Sequence, residues 1–166
     1  MVPAGNKQVS ALREEIDFLN DMISNLLLTD KLDIPYSQLD LERVAPLSFL
    51  NKIVGFFNQE HQQKIHLKST VSKKDVFIID ETKMIICIKN ILQNAFKYAD
   101  TDRGVEVLVH REEGGFNISI QDYGPGIKED DKKHIFESFY RSKGTSSISG
   151  FGLGLSISKK IIKAHR

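Results

Sequence analysis

Three polar residues share one face of a predicted helix. Asn90, Asn94 and Lys97 stand at positions i, i+4 and i+7 of an otherwise apolar stretch. At roughly 100° per residue, these positions fall within about 60° of one another. The face presents amide oxygens, which are hard ligands of the kind that Mg²⁺ accepts, beside one cation that can offset phosphate charge. The alternative is a solvated polar stripe on an ordinary helix.

A carboxylate followed by two glycines marks the end of a predicted strand. Asp122 precedes Gly124 and Gly126, with Pro125 between them. A carboxylate at this place can accept a hydrogen bond from the exocyclic amine of adenine, and the glycines let the backbone pass close to the base. The alternative is a plain turn, since Gly-Pro-Gly commonly interrupts chains.

Glycines alternate with apolar residues just before the last predicted helix, in the sequence Gly150-Phe151-Gly152-Leu153-Gly154. N–H groups at a helix N-terminus attract anions, and glycines let a triphosphate approach. The spacing does not fit a dinucleotide-binding fingerprint, and the chain lacks the Gly-Lys-Ser or Gly-Lys-Thr of a Walker A loop. A flexible hinge remains the alternative.

A long polar segment, residues 127–149, separates these two glycine-containing blocks. Loops of this length inside a domain are usually lids or binding loops, and one helical turn is expected here. Aromatic residues such as Phe139 can anchor the segment, while Arg141 and Lys143 can reach phosphates. The alternative for both cations is a solvated loop charge.

The elements predicted around these residues form an α+β fold, a two-layer α/β sandwich with a mixed sheet and helices on one face. The sequence Glu112-Glu113-Gly114-Gly115 between two strand-like runs predicts a hairpin. The predicted strands are residues 39–41, 65–68, 76–79, 105–109 and 116–120, and the predicted helices begin at Pro46 and cover residues 82–98 and 152–164.

The first part of the chain has a heptad pattern. We predict a disordered start at residues 1–8, a helix at 9–31, a linker at 32–39 and a domain at 40–166. This helix is predicted to belong to a helical bundle whose other helices lie outside this chain or in a second copy. The alternative is an amphipathic helix packed on its own domain. Its apolar positions are Val9, Leu12, Ile16, Leu19, Ile23 and Leu26.

Composition excludes several classes of protein. The 166 residues carry a formal net charge of +1 and no basic, aromatic-rich segment, so we expect no nucleic-acid partner. Cys87 is the only cysteine, which rules out an intrachain disulfide. No apolar run approaches the ~20 residues that span a bilayer, so we expect no membrane segment in this chain.

Four blocks in fixed order resemble the N, G1, F and G2 boxes of the sensor histidine kinase ATP-binding domain. They cover residues 90–98, 122–126, 136–141 and 150–155. This fold is shared with DNA gyrase, the heat-shock chaperone ATPase and the mismatch-repair ATPase. Residues 9–31 resemble the end of the second helix of the family's dimerisation and phosphoacceptor domain.

The resemblance implies an ATP and Mg²⁺ site. It makes Asn94 the magnesium ligand and gives the catalytic roles to Asn94, Lys97 and Arg141. It puts Asn90 at the phosphates and Asp122 at the adenine. The other nucleotide-binding residues that it implies are Tyr98, Gly124, Gly126, Ile127, Phe139, Lys143, Gly150, Phe151, Gly152, Leu153, Gly154 and Leu155.

The implied reaction transfers the γ-phosphoryl group of ATP to a histidine that this chain does not carry. The family's acceptor box is a His followed by an acidic residue, whereas the five histidines here are followed by Gln, Leu, Arg, Ile and Arg. The chain is therefore expected to bind nucleotide without phosphorylating itself. The resemblance further implies a response regulator as partner, a homodimer in the full-length protein and a cytoplasmic location, with membrane anchorage of the parent left open.

Two departures from the family pattern affect these expectations. Tyr123 stands where the first glycine box more often has a small or polar residue. The family also continues beyond the position of Arg166 into a final hairpin, so the resemblance implies an open sheet edge. The alternatives are a related GHKL ATPase, an anti-sigma-type serine kinase and a degenerate, non-catalytic binding module.

Overall fold

The computed structural model describes residues 39–61, 64–98, 103–142 and 150–165, together with eight separate positions between residues 9 and 27. The chain divides into two compact units, Met1–Ser37 and Gln38–Arg166. In the second unit the elements, in chain order, are β1 (Glu42–Val44), α1 (Pro46–His61), β2 (Ile65–Ser69), β3 (Phe77–Ile79), α2 (Glu81–Tyr98), β4 (Val105–Glu112), β5 (Gly115–Gln121), α3 (Glu129–Lys132) and α4 (Gly154–Ala164).

The described positions of the first unit are helical, and their apolar side chains are exposed. Five of the six positions of the predicted heptad pattern are among these exposed apolar residues. The sixth position of the pattern, Leu26, lies outside the described residues. Leu27 is helical and exposed as well. The exposed apolar positions are Val9, Leu12, Ile16, Leu19, Ile23 and Leu27.

The main sheet is mixed, as the sequence predicts, with strand order β2-β4-β5. β2 runs parallel to β4 with Ile65 opposite Val105. β4 and β5 are antiparallel, with Glu112 opposite Gly115 across the turn. The predicted hairpin is therefore confirmed, and both of its strands extend beyond the predicted limits.

Helices cover one face of this sheet because the apolar side chains of β4 alternate. Val105, Val107 and Val109 are fully buried, whereas Leu108 on the opposite face is exposed. α1 packs on β2, α2 packs on β4 and β5, and α4 packs on α2. Buried side chains of the helices include Phe49, Leu50, Ile53, Phe57, Met84, Cys87, Ile88, Leu92, Ala95, Ile157 and Ile161.

Two predicted strands differ from the structure. The strand predicted at residues 39–41 is wrong, because the extended segment is β1, which pairs antiparallel with β3. Leu41 is exposed, and among the residues of β1 only Val44 is buried. The strand predicted at 76–79 is the shorter β3, which belongs to this separate two-stranded sheet; Phe77 and Ile79 are buried, whereas its central residue, Ile78, is exposed.

One buried carboxylate connects three elements. Asp80 precedes α2, and its side chain accepts hydrogen bonds from the main-chain N–H of Lys83 and of Asp40, at 3.0 and 3.2 Å. Its own N–H donates to Nε2 of His165 at the end of α4, at 3.0 Å. Asp80 thus caps the helix that carries Asn94 and ties that helix to the segment before β1 and to α4.

Candidate functional site

The polar face of α2 lies against the beginning of α4. Asn90 and Asn94 are half-buried there. The side-chain amide of Asn90 donates a hydrogen bond from Nδ2 to the carbonyl oxygen of Gly154, at 3.3 Å. Asn90 therefore holds the first residue of α4 against α2, a structural role that the sequence did not indicate.

The charges of two cations, Lys97 and Arg141, influence each other at the last turn of α2. A Cβ built on Gly150 would lie 3.4 Å from Nζ of Lys97, so this ammonium reaches the glycine-rich approach to α4. Surrounding protein displaces water from the Lys97 ammonium, and the charge of Arg141 repels it; both effects lower the pKa of Lys97. Although the Lys97 residue as a whole is exposed, its charged end lies where an anion would be stabilised.

Asp122 holds the turn that follows β5. Its Oδ1 accepts a hydrogen bond from the N–H of Gly124, at 2.9 Å. A Cβ on Gly124 would lie 2.1 Å from the main-chain oxygen of Tyr98, so only glycine lets this turn pack against the end of α2. Asp122 is exposed, and the packing of Gly124 sets its position relative to α2.

The residues just before α4 contact the segment that carries Arg141. Gly152 has a φ of 72°, and its carbonyl oxygen accepts a hydrogen bond from the N–H of Phe139, at 3.0 Å. Leu153, the N-cap residue of α4, is buried and makes no side-chain capping bond. The first N–H groups of this eleven-residue helix therefore lack a side-chain cap, the arrangement that suits a bound anion.

Residues 127–142, the described part of the long segment, are only partly helical. They contain the single-turn helix α3, as expected, and then a series of turns up to residue 139. Arg141 is exposed and close enough to Lys97 to lower its pKa. Lys143, which the sequence also assigned to the phosphates, lies outside the described residues. Ile127 and Phe139 are exposed, whereas Phe151 and Leu155 are half-buried.

The structure thus brings together most of the residues that the sequence assigned to one site. The start of α4 and the residues just before it contact the polar face of α2 and the Arg141 segment, and the turn after β5 packs against the end of α2. One polar residue of this region was missed: Asp131, whose carboxylate accepts hydrogen bonds from the side chains on both sides of Arg141. No sequence spacing signals this contact, because it joins residues nine and eleven positions apart across irregular turns.

This α/β domain, with cations and glycines converging at a helix N-terminus, has the features of a phosphate-binding domain. Residues 79–166 match the family described as histidine kinase-, DNA gyrase B- and HSP90-like ATPases. The chain belongs to this family. The interpretation of the four sequence blocks as those of a histidine kinase ATP-binding domain is confirmed.

Curated relatives of the chain are sensor kinases. Sensor protein kinase WalK of Staphylococcus aureus is 32% identical over 162 residues, which are 95% of this chain and 39% of the relative. Sensor histidine kinase WalK of Bacillus subtilis (strain 168) is 29% identical over 158 residues, which are 92% of this chain and 26% of the relative. The chain therefore spans well under half the length of these relatives.

Solved structures of histidine kinases share the fold. Full-length ShkA in complex with AMPPNP has a TM-score of 0.80 and 26% sequence identity, covering 99% of this chain and 35% of that protein. The mycobacterial sensor histidine kinase MprB has a TM-score of 0.63 and 27% identity, covering 75% of this chain and 80% of that one. Among the described residues, no helix is both long and apolar enough to cross a membrane.

Proposed function

We propose that this domain binds ATP with Mg²⁺ and delivers the γ-phosphoryl group to a histidine of a phosphoacceptor domain, as part of a two-component sensor kinase. The observation that carries the proposal is the approach of Lys97 to Gly150 and Arg141 at the N-terminus of α4. The Lys97 ammonium, which the charge of Arg141 repels in the free protein, would be stabilised by a polyphosphate placed beside it.

The residues present fit a magnesium nucleotide. The half-buried Asn94 shares its helix face with Lys97 and offers the amide oxygen that a hard cation prefers. When bound, Mg²⁺ neutralises charge on the phosphate oxygens. Lys97 and Arg141 would hold the terminal phosphates in line, and Asp122 would accept a hydrogen bond from adenine. In phosphoryl transfer such positioning and charge stabilisation supply most of the catalysis.

The wider role rests on the relatives and on the first unit. The exposed apolar positions of the N-terminal helix suit a helical bundle, and we propose that the full-length protein is a homodimer through this helix. A response regulator would then receive the phosphoryl group, and a cytoplasmic location follows from the use of ATP. The sensor kinases among the relatives favour this function over an anti-sigma-type serine kinase, for which phosphoserine on a partner would be the evidence.

Removal of the Asn94 side chain is expected to weaken the Mg²⁺ enhancement of nucleotide binding. Titration calorimetry of the chain with ADP, with and without Mg²⁺, should show Mg²⁺-enhanced binding that GDP does not reproduce. In Asn94→Ala the enhancement should fall by at least about tenfold, because the amide oxygen is the proposed protein ligand.

Gln93→Ala is the matched control for this experiment. Gln93 is exposed and is the preceding residue of the same helix, so its truncation should leave both affinities within about twofold of wild type. A folded wild-type chain that binds no adenine nucleotide would contradict the proposed function. Full Mg²⁺-enhanced binding by Asn94→Ala would contradict only the assignment of the metal ligand.

Nucleotide binding is also expected to take up protons at alkaline pH. The pKa of Lys97 is lowered in the free protein, and phosphate oxygens beside the ammonium would raise it again. At pH values between the pKa of Lys97 in the free protein and its pKa in the nucleotide complex, Lys97 should take up a fraction of one proton for each nucleotide bound. Calorimetry in two buffers of different ionisation enthalpy measures this uptake, and Lys97→Gln should remove it. Equal uptake by wild type and variant would exclude Lys97 as the group that titrates.

A further inference from the structure

One carboxylate binds both neighbours of Arg141. The hydroxyl of Tyr140 donates a hydrogen bond to Oδ1 of Asp131, at 2.6 Å. The hydroxyl of Ser142 donates to Oδ2 of the same carboxylate. Asp131 belongs to the short helix α3, so two side-chain hydrogen bonds fix the chain immediately before and after Arg141 to an element that contributes none of the proposed nucleotide-binding residues.

The electrostatics of this contact agree with an ionised acceptor and two hydroxyl donors. The hydrogen bonds from Ser142 and Tyr140 lower the pKa of Asp131, although partial burial opposes them. The bond to Asp131 also raises the pKa of Tyr140, so the phenol stays protonated as a donor. Hydrogen bonds to a charged acceptor are shorter and stronger than neutral ones.

The other side of the segment is fixed by the backbone. The N–H of Phe139 donates to the carbonyl oxygen of Gly152 before α4. Phe139 has a φ of 67° and is 59% exposed. A non-glycine residue in this conformation is strained, and it persists only where the surroundings enforce it. The hydrogen bond to Gly152 and the contacts of Asp131 with Tyr140 and Ser142 hold this conformation in place.

We propose that Asp131 is a positioning residue that aims Arg141 at the terminal phosphate of the nucleotide, by holding the side chains on either side of it. This inference rests on the proposed function. Asp131 touches no phosphate itself; it acts by reducing the conformational freedom that residues 139–142 would otherwise lose on binding.

The test compares a triphosphate analogue with a diphosphate. Calorimetry with Mg²⁺–AMPPNP and Mg²⁺–ADP is performed on the full chain and on Asp131→Ala. The variant should bind AMPPNP about tenfold more weakly and ADP within about twofold of wild type, since only the terminal phosphate is read by Arg141. Arg141→Ala should show the same split, that is, weaker binding of AMPPNP with nearly unchanged binding of ADP. The Asp131→Ala/Arg141→Ala double variant should lose little more AMPPNP affinity than either single variant, because both changes remove the same interaction with the terminal phosphate.

Two further variants make the result decisive. Asp130→Ala removes the neighbouring exposed carboxylate with the same change in net charge, and it should bind both nucleotides like wild type. Tyr140→Phe combined with Ser142→Ala removes the donors and keeps the carboxylate, so it should reproduce the split even if Asp131→Ala does not fold.

The outcomes separate the two proposals. A wild-type chain that binds neither nucleotide overturns the proposed function and this inference with it. If wild type binds and Arg141→Ala shows the split, but the donor-removal variant and Asp131→Ala bind AMPPNP normally, only the positioning role is overturned. An equal loss for AMPPNP and ADP would show a general structural role and would overturn it as well.

Discussion

Replacing Gly152 with alanine is expected to lower the free energy of unfolding by about 2–5 kcal/mol, because strain and a clash add together. The φ of Gly152 is 72°, a conformation that costs a residue with a Cβ about 1–2 kcal/mol. The new Cβ would also lie 2.5 Å from the main-chain oxygen of Tyr140. Backbone on both sides must then shift, at about 1–3 kcal/mol. Urea denaturation of the full chain, followed by circular dichroism, measures the loss.

Substitutions at two other glycines distinguish the cost of backbone strain from the cost of the steric clash. Gly126 has nearly the same φ, 76°, but a Cβ there meets nothing within 4 Å, so Gly126→Ala should cost only about 1–2 kcal/mol. Gly55 lies inside α1, also with open space around a Cβ, so Gly55→Ala should stabilise by roughly 0.5–1 kcal/mol. If Gly152→Ala costs no more than Gly126→Ala, the close approach to Tyr140 does not exist in solution.

The Gly152 variant should also bind nucleotide more weakly. The displaced atoms include the main chain of Tyr140, next to Arg141, and Gly152 itself lies two residues before α4. We expect loss of affinity for both ADP and AMPPNP, in contrast to Asp131→Ala, since the start of α4 faces all of the phosphates in the proposed site.

Local patterns made most of the fold predictable from the sequence. The β4–β5 hairpin follows from two alternating runs around Glu113-Gly114, and the turn residues fix the register. The polar face of α2 follows from helical geometry alone. Each of these features depends on residues close in sequence, where propensity and periodicity carry the information.

The features that were wrong or missed depend on residues distant in sequence. β1 lies three residues later than predicted because its pairing with β3 decides its limits, and the apolar Leu41 that suggested the strand is exposed. The bonds from Asp131 to the neighbours of Arg141 pass through irregular turns that have no period to detect. Glycines around the site were visible in the sequence, but the carbonyl against which Gly124 packs belongs to another element.

Truncation of Asp80 is expected to destabilise the domain by about 2–4 kcal/mol, which is the sum of a lost helix cap and of buried donors left without partners. Asp80 is only 3% exposed. In Asp80→Ala, the main-chain N–H groups of Lys83 and Asp40 lose their acceptor, and the Lys83 ammonium loses its counter-ion. Glu81→Ala, in the same helical turn, removes a more exposed ion pair with Lys52 and should change stability by less than about 1 kcal/mol.

The stabilisation by Asp80 is expected to fade in acid, and the direction of its pKa shift sets the range. Burial by itself raises the pKa of Asp80, but hydrogen bonds from Lys83 and Asp40 and the Lys83 charge outweigh it, so the pKa is lowered. The unfolded chain, with a pKa near 3.9, therefore takes up this proton first as the pH falls. The contribution is complete above about pH 4 and is lost as the pH drops through the lower folded-state value.

Asp80→Asn lacks this titration, so the difference in unfolding free energy between wild type and Asp80→Asn should shrink below about pH 4. A difference that stays constant from neutral pH to pH ~3 would show that the Asp80 carboxylate is not stabilised in its charged form by the contacts around it.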